Sequence, residues 1–284
     1  MKKEEVKQEI DERLWLTVKI KEQLFSIDSN YVQTIFQMND KYTKMPNCNP
    51  NIKGIIKMRD DIITLIDLRS LLGIESLEEE EKRFDDMLEQ RKNDHIHWVD
   101  ELRRCLNEEE PFKLATDPHK CAFGKWYDYY HSDNQTVMFH LKKIDEPHRL
   151  LHETAQKTFD CPRDCEHCTR GECQRVHLDK CATEYMPKVL GLLDEARKVF
   201  AESYRRMCVV VSYGGVLRGL LVDGVDAVQK LTVISDSSDI YKNNDVALVS
   251  HIAQSPTTGD QILMLDLDAI LKEINSSAGR NNRK

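Results

Sequence analysis

Two stretches with the pattern of β-strands lie near the ends of the sequence, and the residues between them have a helical pattern. In residues 14–74, "LWLTVKI" and "QLFSID" surround a turn at "KEQ", and "NIKGIIKM" and "IITLID" surround "RDD". In residues 206–275, β-branched runs are interrupted by Gly214 and Gly215, and "QILMLDLDAIL" follows. Neither stretch alone has enough strands for a convincing sheet. The order predicts an α+β fold in which one β domain, made of both stretches, is split by the insert 75–205.

The insert has the three- and four-residue spacing of amphipathic helices. Ser76 and Glu79 form a capping box at its start. Three apolar stripes follow, and their members are Phe84, Leu88, Arg91, His95, Trp98, Leu102 and Cys105, then Val137, Leu141, Ile144, His148, Leu151, His152, Ala155 and Phe159, and finally Tyr185, Val189, Leu192, Ala196 and Val199. A shorter segment, "HKCAFGKWYDYY", lies between the first two stripes. Four helical segments in this interval predict a four-helix bundle.

The composition argues against several classes of function. The net charge of −8 disfavours a general affinity for nucleic acid or anionic lipid. No apolar run reaches the roughly 18 residues that would predict insertion into a membrane, and the charged segment 1–13 lacks the apolar region of a secretory signal. We therefore expect a cytoplasmic protein, in which nine cysteines indicate metal or redox chemistry before disulfides. The tail 276–284 is expected to be disordered.

Three histidines lie on the apolar stripes, where an imidazole needs a partner because burying a polar group without one is costly. His148 and His152 are four residues apart, so both rings point from one face of a helix toward the same place. Together with His95 and the thiol of Cys121, they can complete a tetrahedral zinc shell. The alternative is that each is a core histidine, hydrogen-bonded to a carbonyl or a carboxylate.

The sequences around these residues resemble a known family. "HIHW", "CAFGKW" and "HRLLH" are similar to the HxxW, CxxGxW and HxxxH motifs of the chemoreceptor zinc-binding (CZB) domain, in the same order and at similar intervals. The resemblance covers residues 78–205. It implies that zinc is bound by His95, Cys121, His148 and His152. His97 lies two positions from the first of these, on another face of its helix.

The split β domain resembles the CheW-like family through "NIKGIIKMRDDIITLIDLRSLLG", with its "DLR..LG" close, and through "VLRGLLVDGVDAVQKL" and "ILMLDLDAIL". The resemblance implies a pair of small five-stranded, SH3-like β-barrels that bridges the cytoplasmic tips of chemoreceptors to the histidine kinase CheA without catalysing a reaction. It also implies that Arg59, in a tight turn, contacts a receptor. Asp60 and Thr64 stand where the family usually has Gly and Pro, which leaves the geometry of this loop open. Alternatively, Arg59 only ends a hairpin.

A cysteine-rich segment at residues 160–181 departs from both patterns. It contains Cys161, Cys165, Cys168, Cys173 and Cys181, together with His177. Three interpretations remain open. Close thiolates suit a second zinc ion or an iron–sulfur cluster, the same thiols suit a redox switch that forms disulfides, or the cysteines are incidental. The C-x3-C-x2-C spacing of Cys161, Cys165 and Cys168 also occurs in radical SAM enzymes, but the insert is too short for the barrel of that class.

The leading hypothesis is a non-catalytic adaptor that couples chemoreceptors to a CheA-type kinase and carries a zinc-binding bundle that senses zinc or thiol oxidation. Because the bundle is inserted into the middle of the β domain, a change in its helix packing would act on both β halves. One alternative is a zinc-dependent hydrolase, although four protein ligands leave no open position on the metal. Further alternatives are an iron–sulfur or redox sensor acting through the cysteine-rich segment, and a zinc-storage or purely structural protein.

Overall fold

The fold is given by a computed structural model, in which the described residues are 9–38, 41–132, 134–160, 170–204, 206–236 and 248–276. The chain divides into two compact units. The first, here called the β unit, consists of Met1–Leu77 and Arg205–Lys284. The second, here called the helical unit, is Glu78–Tyr204.

The strands of the β unit form two sheets. Within the described residues they are β1 (Glu9–Ile20), β2 (Gln23–Asp28), β3 (Val32–Gln37), β4 (Ile52–Met58), β5 (Asp61–Asp67), β6 (Met207–Tyr213), β7 (Val216–Val222), β8 (Gly224–Asp236), β9 (Val249–Gln254) and β10 (Gln261–Leu265). The first sheet is a closed barrel in the order β1-β2-β10-β9-β8, and the second has the order β3-β6-β7-β5-β4. Each sheet combines strands from both sides of the helical unit, so neither stretch supplies either sheet alone. The expected α+β class is confirmed.

The predicted break at Gly214 and Gly215 is a two-residue hairpin turn between β6 and β7. Tyr213 pairs with Val216 across it, and both glycines have positive φ, 58° and 77°. Glycine adopts this left-handed backbone without the steric cost that a Cβ would add. The turn sets the register that puts Val209 and Leu220 opposite each other in the core of the β unit.

One buried ion pair joins the two sequence stretches of the β unit. Arg69 lies in the short helix α1 (Leu68–Leu71), and its side chain is 2% exposed. Its Nε and Nη2 donate to the carboxylate of Asp223, at 2.8 and 2.7 Å. The Asp223 carboxylate also accepts the backbone N–H of Lys21 at 2.6 Å. A bidentate pair of this kind is strong and directional, and it fixes the connection after β7 against the "DLR" segment.

The helical unit contains six α-helices and one π-helical turn among the described residues. They are α2 (Leu77–Asn107), α3 (Ala122–Tyr127), α4 (Gln135–Lys142), α5 (Asp145–Phe159), α6 (Arg170–Lys180), the π turn Cys181–Tyr185 and α7 (Met186–Ser203). The helix α2 begins directly after Ser76, the predicted N-cap. The members of its predicted stripe are buried or half-buried, and Leu88 and Leu102 are fully buried.

The single helix expected over the second stripe is two helices, α4 and α5. They are separated at Lys143 and Ile144, whose N–H groups bond to the carbonyls of His140 and Leu141, three residues earlier. Pro147, in the first turn of α5, has no N–H to donate and its ring is incompatible with a preceding helical turn. The apolar stripe nevertheless continues across the break, because Leu141, Ile144 and Leu151 are all fully buried.

The third stripe agrees with the prediction at Val189 and Ala196 and differs from it at the two positions between and after them. Val189, Leu193, Ala196 and Phe200 are the buried residues of α7, whereas Leu192 and Val199 are half-buried at the edge. The helix begins with Pro187 at its first positions, where the missing N–H costs nothing. Both differences are a choice between a step of three and a step of four residues, because the helical period of 3.6 residues lies between them.

The two termini of the β unit also differ from the sequence-based expectation. The strand β1 begins at Glu9, within the charged segment that was expected to precede the domain. The final apolar stretch is a strand only as far as Leu265, after which α8 (Leu267–Ser276) begins. Asp266 causes this change, because its carboxylate accepts the N–H of Ala269 as a helix cap. The strands β3 and β9 were not predicted. The proposed tail lies outside the described residues beyond Ser276.

Candidate metal centre

The four residues predicted to bind zinc lie together in the helical unit. His95 comes from α2, Cys121 is the residue before α3, and His148 and His152 come from α5. Their ligand atoms, three imidazole nitrogens and one sulfur, all lie within 4.8 Å of one another. The histidines are 3%, 5% and 0% exposed, and Cys121 is half-buried. Among the described residues this is the one cluster of at least three histidine, cysteine or acidic side chains with the spacing to hold a metal ion.

Cys121 is held in place by the backbone around it. As the N-cap of α3, it accepts the N–H of Gly124 at its sulfur, at 3.2 Å, and the same sulfur contacts the carbonyl oxygen of Pro118 at 3.2 Å. A Cβ on Gly124 would lie 1.9 Å from that carbonyl oxygen. The glycine of the CxxGxW motif is therefore required by close packing of the backbone that carries the cysteine.

Backbone carbonyls orient two of the imidazoles. Nδ1 of His95 lies 2.6 Å from the carbonyl oxygen of Arg91, and Nδ1 of His152 lies 3.0 Å from that of Ala115. A carbonyl oxygen can only accept, so each Nδ1 carries the hydrogen and each Nε2 keeps a lone pair. The indole N–H of Trp98 donates to the same Ala115 carbonyl at 2.8 Å. This shared carbonyl links the tryptophan of the HxxW motif to His152, which lies on another helix.

The remaining nitrogens of these rings separate the two interpretations of the histidines. A core histidine with one carbonyl partner and a histidine that binds zinc make the same contact at Nδ1. However, Nε2 of His95 and of His152 are buried and have no hydrogen-bond partner, and Nε2 of His148 lies 3.3 Å from the sulfur of Cys121. Buried polar atoms without partners are rare in native proteins and indicate an ion or a water. Lone pairs that converge beside a thiol favour a cation.

The protein environment keeps the three rings neutral. Burial, followed by the neighbouring His152, His95 and His119, lowers the pKa of His148 to about 2. Burial and His95 lower the pKa of His152 to about 4, and burial also lowers the pKa of His95. Burial raises the pKa of the Cys121 thiol. At neutral pH the histidines therefore present lone pairs, whereas the thiol must lose its proton to bind a metal.

This donor set fits zinc. Zinc takes imidazole nitrogen and thiolate sulfur in tetrahedral sites, at about 2.0–2.1 and 2.3 Å, which places ligand atoms roughly 3.3–3.7 Å apart. The observed limit of 4.8 Å between the four atoms requires only a small contraction. Carbonyl bonds to the outer nitrogens are also typical of metal-binding histidines.

The residues of the cysteine-rich segment are distributed differently. Cys161, Cys165 and Cys168 lie outside the described residues. Cys173, on α6, is disulfide-bonded. Cys181 is a fully buried free thiol in the core of the helical unit, and burial raises its pKa to about 11. Within the described part of the segment, no set of side chains for a second metal or an iron–sulfur cluster is present. His177, on α6, is half-buried and does not belong to the metal-binding cluster found among the described residues.

Arg59 lies at the tip of the β4–β5 hairpin. Met58 pairs with Asp61 across a two-residue turn formed by Arg59 and Asp60. Arg59 is exposed and has a φ of 56°, which is uncommon for a residue other than glycine. It forms no hydrogen bond or ion pair with any of the described residues. The guanidinium is therefore free to meet another molecule, although the hairpin alone does not identify a partner.

The carboxylate of Glu153, the residue after His152, forms ion pairs with other residues of its helix. It is ion-paired with Arg149 and with Lys157, the latter at 3.0 Å, on the outer face of α5. Glu153 is therefore not placed to act as a general base beside the cluster. His97 is exposed on another face of α2. The carbonyl groups of Arg91 and Ala115 were not predicted as part of the site, because a backbone acceptor has no side-chain signal in the sequence.

Comparisons with known proteins agree with both resemblances. A family model described as "CheW-like domain" matches residues 14–104, and one described as "Chemoreceptor zinc-binding domain" matches residues 95–159. No curated protein gave a match. Among solved structures, the scaffolding protein TtCheW from Thermoanaerobacter tengcongensis matches with 14% identity and a TM-score of 0.39, over 90% of this chain and 89% of that one.

The two family matches meet in the helix α2. The CheW-like match extends through β1–β5 into α2, and the zinc-binding match begins at His95, in the same helix. No helix in the described part of the chain has the length and apolar character needed to span a bilayer. The chain contains a CheW-like domain and a chemoreceptor zinc-binding domain.

Proposed function

We propose that this protein is a chemotaxis adaptor that couples chemoreceptors to a CheA-type histidine kinase, and that zinc bound by His95, Cys121, His148 and His152 modulates that coupling. The observation that carries the proposal is the combination of a CheW-like domain with a second domain whose buried imidazole lone pairs converge on a thiol. The CheW-like family is non-catalytic, and Glu153 is not placed to act as a base. An adaptor is therefore favoured over a zinc hydrolase.

We further propose that residues 206–275 are the second half of the CheW-like domain and that residues 75–205 are an insertion into it. The family match ends at residue 104, but β6 and β7 lie between β3 and β5 in the second sheet. Strands β8, β9 and β10 close the barrel with β1 and β2. The pair Arg69–Asp223 also joins residues on either side of the insertion. One closed barrel and a second five-stranded sheet, interrupted in the sequence by a helical insertion, are the simplest description of these contacts.

Modulation by zinc follows from this connectivity. The helix α2 leaves the β unit at Leu77, and α7 returns to it at Tyr204. His95 lies on α2, whereas His148 and His152 lie on α5, so a metal bound by all four ligands ties these helices together. Loss of the metal would leave desolvated imidazoles without partners and would favour repacking. Any such repacking acts on a helix that is continuous with the β unit.

The experiment measures binding of the purified full chain to receptor cytoplasmic tips and to the kinase, with one zinc per chain and after chelation. We expect the affinity for at least one partner to change on removal of zinc, and readdition of zinc to restore it. Equal affinities in both states would remove the modulating role and leave the adaptor role. Absence of binding to both partners in either state would contradict the proposed function.

Arg59 is proposed as a receptor-contacting residue, because it is exposed at a tight turn with an unpaired guanidinium. Arg59→Ala is expected to weaken receptor binding and to leave zinc content unchanged. Lys272→Ala is the matched control, since it removes an exposed cation from α8, elsewhere on the β unit. Equal binding by Arg59→Ala and wild type would show that Arg59 only ends the hairpin.

A second candidate function is thiol-redox sensing, and the observation that favours it is the disulfide at Cys173. The helix α6 that carries Cys173 packs against α5, which carries His148 and His152. Titration of the protein in thiol–disulfide buffers, with mass spectrometry of Cys173, tests it. A Cys173 thiol that stays reduced across the physiological range of potentials would eliminate this function.

A further inference from the structure

A cavity of about 470 Å³ in the helical unit reaches one side of the metal centre, and it is here called the access cavity. His148 forms part of its wall, as do Pro118 and Gly124, whose backbone groups contact the sulfur of Cys121. His95 and His152 are not part of the wall. The access cavity therefore approaches the centre from the side of Cys121 and His148.

This side includes His148, the one imidazole of the cluster without a fixed outer partner. Nδ1 of His95 and of His152 is fixed by a backbone carbonyl, whereas no described residue accepts a hydrogen bond from Nδ1 of His148. Cys121 is also the most exposed of the four ligands. A ligand without a fixed outer partner can turn away from the metal at lower cost. Exchange of the metal is thus easiest on the side that the access cavity opens.

The charges along the wall are mostly neutralised in pairs. Glu146 accepts two hydrogen bonds from the guanidinium of Arg149, at 3.0 and 2.8 Å. Nδ1 of His119, which is part of the wall, lies 3.0 Å from a carboxylate oxygen of Asp128, which is not part of the wall. Asp145 is the exception, because its carboxylate forms no ion pair with any cation in the described part of the chain.

The wall residue that acts on Asp145 is neutral. Tyr127 also lines the access cavity, and burial together with the neighbouring Asp145 carboxylate raises the pKa of its hydroxyl to about 12. The tyrosine therefore stays protonated and does not cancel the charge of Asp145. An exposed, uncompensated carboxylate next to a cavity attracts a divalent cation.

We propose that the access cavity is the route by which zinc enters and leaves the centre, and that Asp145 is its transient first ligand. This inference rests on the proposed zinc site. Carboxylate oxygen is an accepted zinc ligand, at about 2.0–2.2 Å. An incoming ion would exchange water for Asp145 before it meets His148 and Cys121, and a departing ion would pass Asp145 in the reverse order.

The test compares Asp145→Asn with Asp160→Asn in the full chain. Asp160 follows the last residue of α5, is exposed and is not part of the cavity wall, so the second variant makes the same change in net charge away from the route. Zinc uptake by the metal-free protein is followed by competition with a chromogenic chelator, and zinc release is followed after addition of excess EDTA. A transient ligand speeds both directions equally. We expect both rate constants to fall by about tenfold in Asp145→Asn with an unchanged dissociation constant, and Asp160→Asn to match wild type.

Three other results overturn the inference. Unchanged rates in Asp145→Asn would show that zinc uses another route. A slower association with unchanged dissociation would show long-range attraction without ligation. Equal slowing in both variants would show an effect of net charge alone. Zinc binding at one ion per chain in all three proteins would leave the metal centre standing in each of these cases, whereas no binding in any of them would remove the metal centre itself.

Discussion

The β unit and the helical unit both bury ionisable side chains, but they satisfy them differently. In the β unit, the guanidinium of Arg69 meets the carboxylate of Asp223 in a bidentate pair. In the helical unit, the Nε2 atoms of His95 and His152 point into the protein without a partner. A buried group whose partner is in the chain is part of the structure. Converging groups whose partner is not in the chain indicate a ligand, and this difference is the reason why the metal centre is proposed in the helical unit.

The largest expected effect comes from removing one converging imidazole. His152→Ala removes a fully buried member of the proposed ligand set, and zinc affinity is expected to fall by more than the roughly 100-fold that loss of an outer partner can cost. Competition with a chelator of known affinity measures it. His97→Ala, an exposed histidine on α2, is the control and should bind zinc as wild type does. Wild-type affinity in His152→Ala would remove His152 from the ligand set.

The matching change in the β unit is Asp223→Ala, which leaves the Arg69 guanidinium buried without its counter-charge. The free energy of unfolding of the β unit should fall by about 3–5 kcal/mol. Hydrogen exchange of strands β5 and β7 measures this loss separately from the helical unit. Zinc affinity should not change. The exposed Asp226 provides the control variant Asp226→Ala. If Asp223→Ala lost zinc and its β unit were as stable as in the wild type, the comparison of the two units would be contradicted.

A smaller effect is expected from Gly124→Ala. The added Cβ would meet the Pro118 carbonyl oxygen at 1.9 Å, so the backbone that holds Cys121 must move. Zinc affinity should fall by roughly 10- to 100-fold, as for other groups that position a ligand. Gly191→Ala on α7, where a Cβ meets nothing within 4 Å, is the control. It should keep zinc affinity and stabilise the helix by roughly 0.5–1 kcal/mol.

The smallest effect is the dependence of zinc affinity on pH. Because burial raises the pKa of Cys121 and lowers that of the three histidines, only the thiol has a proton to lose near neutral pH. Binding should release one proton, so affinity should rise tenfold per pH unit between about 6.5 and 8.5. Isothermal titration in buffers of different ionisation enthalpy counts the protons. Release of two or more would show that a histidine is protonated in the metal-free protein.

The sequence predicted which four side chains lie together better than it predicted the path of the chain around them. The i, i+4 spacing of His148 and His152 requires only a local helix, and that helix survives the break before Asp145. The strand β3 was missed because its exposed, mixed pattern has no clean alternation. On α7, Leu193 and Phe200 are buried where the neighbouring residues were expected, because apolar spacing does not separate three-residue from four-residue steps. The sequence also could not predict that the Ala115 carbonyl contacts His152, because contacts between the backbone and distant side chains depend on tertiary structure.

The most direct test of the central claim is X-ray absorption at the zinc edge, on protein purified without chelators and with metal content measured on the same sample. One zinc per chain should show three nitrogen neighbours at about 2.0–2.1 Å and one sulfur at about 2.3 Å, and His152→Ala should lose the signal. A shell dominated by sulfur would place the metal in the cysteine-rich segment. That result, or a chain without zinc, would contradict the assignment of His95, Cys121, His148 and His152 as the metal centre.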